Sequence, residues 1–217
     1  RLYLAGAGNA NSLWGDGRLE HALAAKSAVD QFISDPTNPV PSLAGGLFEP
    51  VRDQRPVEAR QDVLIYSTAV LDKGLTITGD VKATLYVSVD AKDTDLAVKL
   101  VDVYPDGTAY NVQTGMLRLR YRDGFEKPEL LTPGQVYKVE VGGMATANYF
   151  APGHRLRIEI AGSDFPNSDR NWNTGGRNEI ETSGVIANIS IHHGGAQASY
   201  IEFVEYTGAI PAPVKKP

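Results

Sequence analysis

A serine hydroxyl, polarised by a histidine that a carboxylate orients, is one way for a protein without thiols to attack a carbonyl. This chain has no cysteine and four histidines, so that chemistry is the first to look for. A hydrolase elbow needs Gly-x-Ser-x-Gly on a strand-to-helix turn. The nearest match, Gly162-Ser163-Asp164-Phe165, lacks the second glycine and a following helix. Spacing allows Ser163 and Asp164 to meet His21, His154, His192 or His193, but nothing in the sequence favours such a triad. The His192-His193 pair would face opposite ways on a strand and could not share a metal ion. Asp93 and Asp95 could converge on calcium in a loop, yet no Asp/Asn-rich calcium loop surrounds them, and turn capping around Thr94 is the favoured reading. No catalytic residue, metal site or cofactor is therefore expected.

Two further segments could bind rather than react. Arg118, Arg120 and Arg122 alternate, which on a strand would put three cations on one face. They could take an anion or acidic residues of an adjoining domain, although most such ladders are solvated or paired across strands. The polar stretch from Ser163 to Gly175 holds Asp164, Arg170, Asn171, Trp172 and Asn173, and loops of this kind carry binding or interface residues more often than strands do. A sugar site and an interdomain contact fit its composition equally well. Asn188-Ile189-Ser190 matches a glycosylation sequon but falls within an expected strand.

The elements that must position these residues are strands. In Val81–Val89 the odd positions are apolar, and Leu117–Arg122, Tyr137–Val141, Leu156–Ile160, Ile189–Ile191 and Ile201–Phe203 alternate likewise. Each such segment has one face to bury and one to wet. Residues 96–104, apolar on both faces, suit a central strand. Turn signals such as Pro105-Asp106-Gly107, Asp123-Gly124, Pro133-Gly134 and Pro152-Gly153 separate the runs. Roughly eight strands at this spacing predict an all-β, antiparallel jelly-roll sandwich of the galactose-binding-domain-like kind over residues 60–206. Ahead of it, residues 1–59 read as an extended N-terminal arm and a connector punctuated by Pro36, Pro39, Pro41, Pro50 and Pro56; residues 207–217 read as a tail. Within the arm, Leu19, Ala22, Leu23, Ala25, Ala28, Val29 and Phe32 also fit an amphipathic helix.

Composition narrows the function classes. Hydrophobic residues make up 42% of the 217-residue chain, too many for disorder, and the net charge of -5 with no basic patch argues against nucleic acid. No apolar run is long enough to span a membrane. A bacterial cytoplasmic or secreted protein fits equally. The opening Arg1-Leu2-Tyr3-Leu4, strand-like and without Met, reads as part of a longer polypeptide.

Taken in order, several segments resemble a known family. They begin with Asn11-Ser12-Leu13, Gly15-Asp16-Gly17-Arg18-Leu19, Asp35-Pro36-x-x-Pro39-Val40-Pro41, Gly45-Gly46, Asp53-Gln54-Arg55 and Asp62-Val63-Leu64. They continue with Asp93-Thr94-Asp95, Asp102-Val103-Tyr104-Pro105-Asp106-Gly107, Leu117-Arg118-x-Arg120-Tyr121-Arg122, Gly153-His154-Arg155-Leu156-Arg157 and Ser163-Asp164-Phe165-Pro166. Over about residues 3–206 the chain is similar to the C-terminal domain of the X-Pro dipeptidyl-peptidase and cocaine-esterase-like (CocE/NonD) serine hydrolases. The resemblance implies a jelly roll that accompanies an α/β-hydrolase domain and a helical cap, with the Ser-Asp-His triad in the hydrolase domain. It implies an α/β-hydrolase domain, of the same or a companion polypeptide, as the partner. It also implies that the loop after Gly45-Gly46 lies near the acyl pocket, so Leu47 and Phe48 would line its wall; the competing reading is a linker staple packed on the sandwich. Two other functions stay open: a carbohydrate-binding module, for which Trp14 and Trp172 are the only tryptophans, and a stand-alone interaction or homo-oligomerisation domain.

Overall fold

Period-two segments become strands when one face can be buried, and the whole chain follows that rule. A computed structural model describes residues 1–43 and 52–208 and is all-β. Its strands are β1 (Leu2–Ala5), β2 (Arg18–Glu20), β3 (Ala28–Ser34), β4 (Val63–Ser67), β5 (Leu75–Gly79), β6 (Lys82–Val89), β7 (Asp95–Val103), β8 (Ala109–Arg118), β9 (Val136–Val141), β10 (Thr146–Phe150), β11 (Arg155–Ala161), β12 (Ala187–His193) and β13 (Tyr200–Glu202). One turn of helix, α1 (Arg55–Glu58), interrupts them. Eleven strands form one sheet in the order β3-β12-β6-β13-β1-β2-β4-β11-β7-β8, with β9 also on β6, while β5 and β10 pair separately. A single β2–β4 contact is parallel and the other strand pairs are antiparallel.

The large sheet folds over on itself. Leu85, Val87, Ile189 and Ile191 from one half and Leu96, Val98, Leu100, Leu156, Ile158 and Ile160 from the other share a single buried core, so the two halves face each other as a β-sandwich. The expectation of about eight strands over residues 60–206 falls short of the ten found there, β4 to β13, and residues 1–34 contribute three more, β1, β2 and β3. They are extended as expected, yet they are built into the sheet: β1 lies between β13 and β2, and β3 pairs along β12. No helix forms over 17–33. In β3 the buried residues Asp30, Phe32 and Ser34 alternate with exposed Gln31 and Ile33, a period that only a strand can use.

A second difference concerns Leu117–Arg122. β8 ends at Arg118, and Leu119–Tyr121 form a 3-10 turn, so the three arginines do not share a strand face. The Thr94 carbonyl accepts the Leu119 N–H and the Asp93 carboxylate accepts the Arg120 N–H, which draws the chain off the ladder.

Buried carboxylate Asp30 ties four parts of the fold together. It accepts hydrogen bonds from the Ala10 N–H at 2.9 Å, Tyr66 Oη at 2.7 Å and His193 Nε2 at 2.7 Å. Burial opposes its charge, but the bonds from His193, Ala10 and Tyr66 outweigh burial and hold the carboxyl below its ordinary value. Its stabilisation is thus present above the unfolded value of 3.8 and is lost as pH falls through the lower folded value. Asp30→Ala is expected to cost about 3 kcal/mol in urea unfolding at neutral pH, because three buried donors lose their acceptor. A cost near zero would remove Asp30 from the centre of the fold.

Candidate domain interface

The proline-punctuated connector does not hang free. Residues 36–43 and 52–62 lie back on the outer face of β4, β11 and β7. On one side Val40 and Val57 pack on Val63, Ile65 and Ala161, with Leu13 and Leu43 against them. Pro41 pairs with Phe165 as an isolated bridge; the Ser42 N–H reaches the Phe165 carbonyl at 2.7 Å, and the Phe165 N–H reaches that of Val40 at 3.0 Å. On the other side Asp53 bridges to Tyr110, and the Gln54 N–H bonds the Ala109 carbonyl at 2.8 Å. Both ends of the segment 44–51 are therefore fixed to the sandwich. Leu47 and Phe48, expected to line a pocket wall, lie within that segment and outside the described residues.

Beneath α1 is a cluster of charge. Lys99, Arg157, Glu58, Glu159, Asp164 and Gln54 are each at most 9% exposed. Lys99 Nζ sits 2.9 Å from Asp164 Oδ1 and 3.4 Å from Gln54 Oε1; Arg157 reaches Glu58 Oε1 at 2.7 Å and Ser67 Oγ at 2.8 Å. Glu159 stands opposite Lys99 in the β11–β7 ladder. The face of Leu156–Ile160 expected to be wet is thus a second interior layer, covered by the connector. Period-two alternation reports which face is polar, not what covers it. Beside this platform a groove of about 380 Å³ is lined by Leu13, Trp14, Arg55, Tyr104, Arg155 and Arg157. Trp14 is 90% exposed there. Asp102 Oδ1 holds His154 Nδ1 at 2.8 Å, with the Tyr104 ring tilted against the imidazole.

The polar loop after β11 serves the architecture. Asp164 is the partner of Lys99. Asn171 Nδ2 donates to Asp93 Oδ2 at 2.7 Å and to Asp95 Oδ1 at 2.8 Å, while Arg120 and Arg118 close on the same carboxylates at 2.7 Å and 2.9 Å. Asp93 and Asp95 are thus buried charge partners rather than turn caps. Burial raises the Asp95 carboxyl above its ordinary value despite Arg118 and Asn171. Arg122 pairs outside this array with Asp123 and Glu129. Asn173 is buried, at a positive φ of 64°, and donates to the Ser34 and Val185 carbonyls. Arg170 lies over the Trp172 ring at 4.4 Å and near Phe165 at 5.7 Å, and bonds the Pro36 carbonyl. Arg170 and Trp172 stay partly exposed.

The triad candidates do not converge. Ser163 Oγ accepts the Val40 N–H, His154 and His193 are held by Asp102 and Asp30, and His192 meets Ser88 Oγ at 2.9 Å. Among the described residues no carboxylate hydrogen-bonds His192, no cluster of three metal-ligating side chains occurs, and no helix is long and apolar enough to cross a membrane.

Among the described residues no serine, histidine and carboxylate come together, and the fold is a β-sandwich with a connector anchored on its buried charges. The chain matches the X-Pro dipeptidyl-peptidase C-terminal non-catalytic domain over residues 1–202, and it belongs to that family. It is 42% identical over 208 residues to a cocaine esterase of Rhodococcus sp. (strain MB1 Bresler), covering 92% of this chain and 36% of that protein. An α-amino acid ester hydrolase structure superposes with a TM-score of 0.82 at 29% identity, over 94% of this chain and 36% of that one. An aminopeptidase from a marine sediment archaeon, Thaumarchaeota archaeon, gives a TM-score of 0.80 at 27% identity, over 93% and 37%. The chain thus spans little more than a third of the relatives it matches.

Asn171→Leu is expected to destabilise the domain by about 3 kcal/mol, since Asp93 and Asp95 would then face each other with no amide between them. Trp172→Ala, at a partly exposed site, is expected to cost about 1 kcal/mol. Urea denaturation of both variants checks the ranking, and an equal cost would refute it.

Proposed function

We propose that this domain packs on an α/β-hydrolase domain, of its own or a companion polypeptide, and shapes the mouth of a serine-hydrolase active site acting on peptide or ester acyl bonds. One observation carries the reading: the connector is fixed to the sandwich on both sides of residues 44–51, by backbone hydrogen bonds to Phe165 upstream and by the Ala109 bond and the buried Glu58–Arg157 ion pair downstream, which lowers the entropic cost of meeting a partner there. A free linker would need neither that backbone pairing nor a buried ion pair at its helix. The share of each relative's length that the chain covers supports a hydrolase domain as the partner. Names of the relatives support acyl-ester or peptide substrates. The groove around exposed Trp14 supports a contact surface on the same side, since an exposed tryptophan beside arginines is a common interface anchor. Leu47 and Phe48 then form an apolar wall that selects the acyl group, while serine, histidine and oxyanion donors come from the partner. Sugar binding by the loop after β11 is less favoured, because the amides of Asn171 and Asn173 are spent inside the fold.

In the assembled hydrolase, Leu47→Ala or Phe48→Ala is expected to change the kcat/KM ratio between small and bulky acyl substrates by roughly tenfold. The thermal midpoint of the 217-residue chain should stay close to that of wild type. The chain by itself should not hydrolyse an Ala-Pro or simple ester chromogenic substrate. Serine-dependent turnover by the pure chain, or an unchanged acyl preference in both variants, would defeat the proposal.

A further inference from the structure

The buried platform holds three carboxyl groups, on Glu58, Glu159 and Asp164, against two cations, Lys99 and Arg157. Each cation already has a carboxylate: Lys99 has Asp164 at 2.9 Å and Arg157 has Glu58 at 2.7 Å. Glu159 is left over. It lies across the ladder from Lys99, beside Glu58, and its Oε1 has no hydrogen-bond partner; neither oxygen of Glu58 receives a well-aligned hydrogen bond either. A bare fifth charge there would be uncompensated in a dry interior. A single proton balances the charge and links the two acids. Glu159 becomes a neutral acid whose O–H donates to one oxygen of Glu58, and two positive charges face two negative ones.

We propose that Glu159 is a positioning residue: the proton it shares with Glu58 locks α1, and with it the stem of the segment 44–51, onto β11, and its loss to solvent in alkaline conditions loosens that stem. The geometry makes the coupling direct. Glu58 is the last residue of α1, and Gln54, which precedes that helix, is held by Lys99 of β7. The Glu58–Glu159 contact thus spans the seam between strut and sheet, so a second negative charge pushes the strut outward. The groups facing Glu159 are Glu58 from α1, Lys99 from β7 and Arg157 from its own strand, with Asp164 behind Lys99. Burial raises the Glu159 carboxyl most, Lys99 opposes it, and Glu58 adds to it; from an ordinary 4.5 it is pushed up to about 8. With the folded value above the unfolded one, the contribution is full below 4.5 and declines as pH rises to about 8. The consequence for catalysis rests on the placement of 44–51 proposed above; the lock itself does not.

The test begins with the 217-residue chain. Infrared spectra at neutral pH should show a buried protonated carboxyl band that disappears above about pH 8 and is absent in Glu159→Gln. Trypsin cleavage after Arg60 should accelerate by up to about tenfold per pH unit between about pH 6 and 8 in wild type, relative to Glu159→Gln at the same pH. Glu159→Asp, which still titrates, should restore the acceleration. No such band, or the same acceleration in Glu159→Gln, overturns the proposal. If Glu159→Gln fails to fold, the wild-type infrared titration decides alone. In the assembled hydrolase, Glu159→Gln should remove an alkaline decline in kcat/KM that wild type shows. A lock present in the chain with identical activity profiles would leave the proton in place and overturn the link to the active site.

Discussion

A charge buried without a partner costs several kcal/mol, a large part of the stability of any single domain. That constraint organises this protein more visibly than its apolar core does. Three buried carboxylate centres recur. Asp30 joins the first loop to β4 and β12, Asp93 and Asp95 join the β6–β7 turn to the loop after β11, and Glu58, Glu159 and Asp164 join the connector to the sheet. Each centre lies where segments distant in sequence must meet. Apolar packing fixes which face of a strand is buried, and a buried acid adds a second constraint, because it accepts only donors in the right positions.

The result is a domain with two kinds of interior. Between the halves of the sheet lies the apolar core. On the outer face of β4, β11 and β7 lies a thinner layer, half apolar and half ionic, roofed by the connector. This explains why Lys99 is buried in β7; of the other charged residues of that strand, Asp95 is covered by Arg118 and Asn171 and Asp102 is held by His154. It also gives the connector a structural role independent of any partner: removing it would expose Lys99, Arg157 and Glu159 to water and change their charge balance at once.

Much of this was legible in the sequence. Alternation in Val81–Val89, Tyr137–Val141, Leu156–Ile160 and Ile189–Ile191 located β6, β9, β11 and β12, and the ordered motifs pointed to the right family. Two things were not legible, for one reason. Arg157 and Glu159 alternate with apolar residues just as solvent-facing residues do, so the pattern could not reveal that a connector covers them. Arg118, Arg120 and Arg122 likewise look like one cationic face until Asp93 captures the backbone at Arg120. A signal was present in Lys99: a lysine in a strand otherwise apolar on both faces requires a buried acid, and Asp164 was already a candidate for other reasons. β1 was legible as a strand-like opening, but the three residues of β2 are too few to declare a period, and only their pairing with β1 and β4 defines it.

The place of β13 in the sheet has a kinetic meaning. It sits between β6 and β1, so among the described residues the half of the sheet built from β3, β12 and β6 is hydrogen-bonded to the half built from β1, β2, β4, β11, β7 and β8 through a strand at residues 200–202. A ribosome must release nearly all of this sequence before the sheet can close, and until then β1 and β6 each present an unpaired edge. Contacts of such long sequence separation form slowly. During synthesis, then, this domain carries two open edges until its last described strand has been made, and open edges are where a sheet is most prone to pair wrongly.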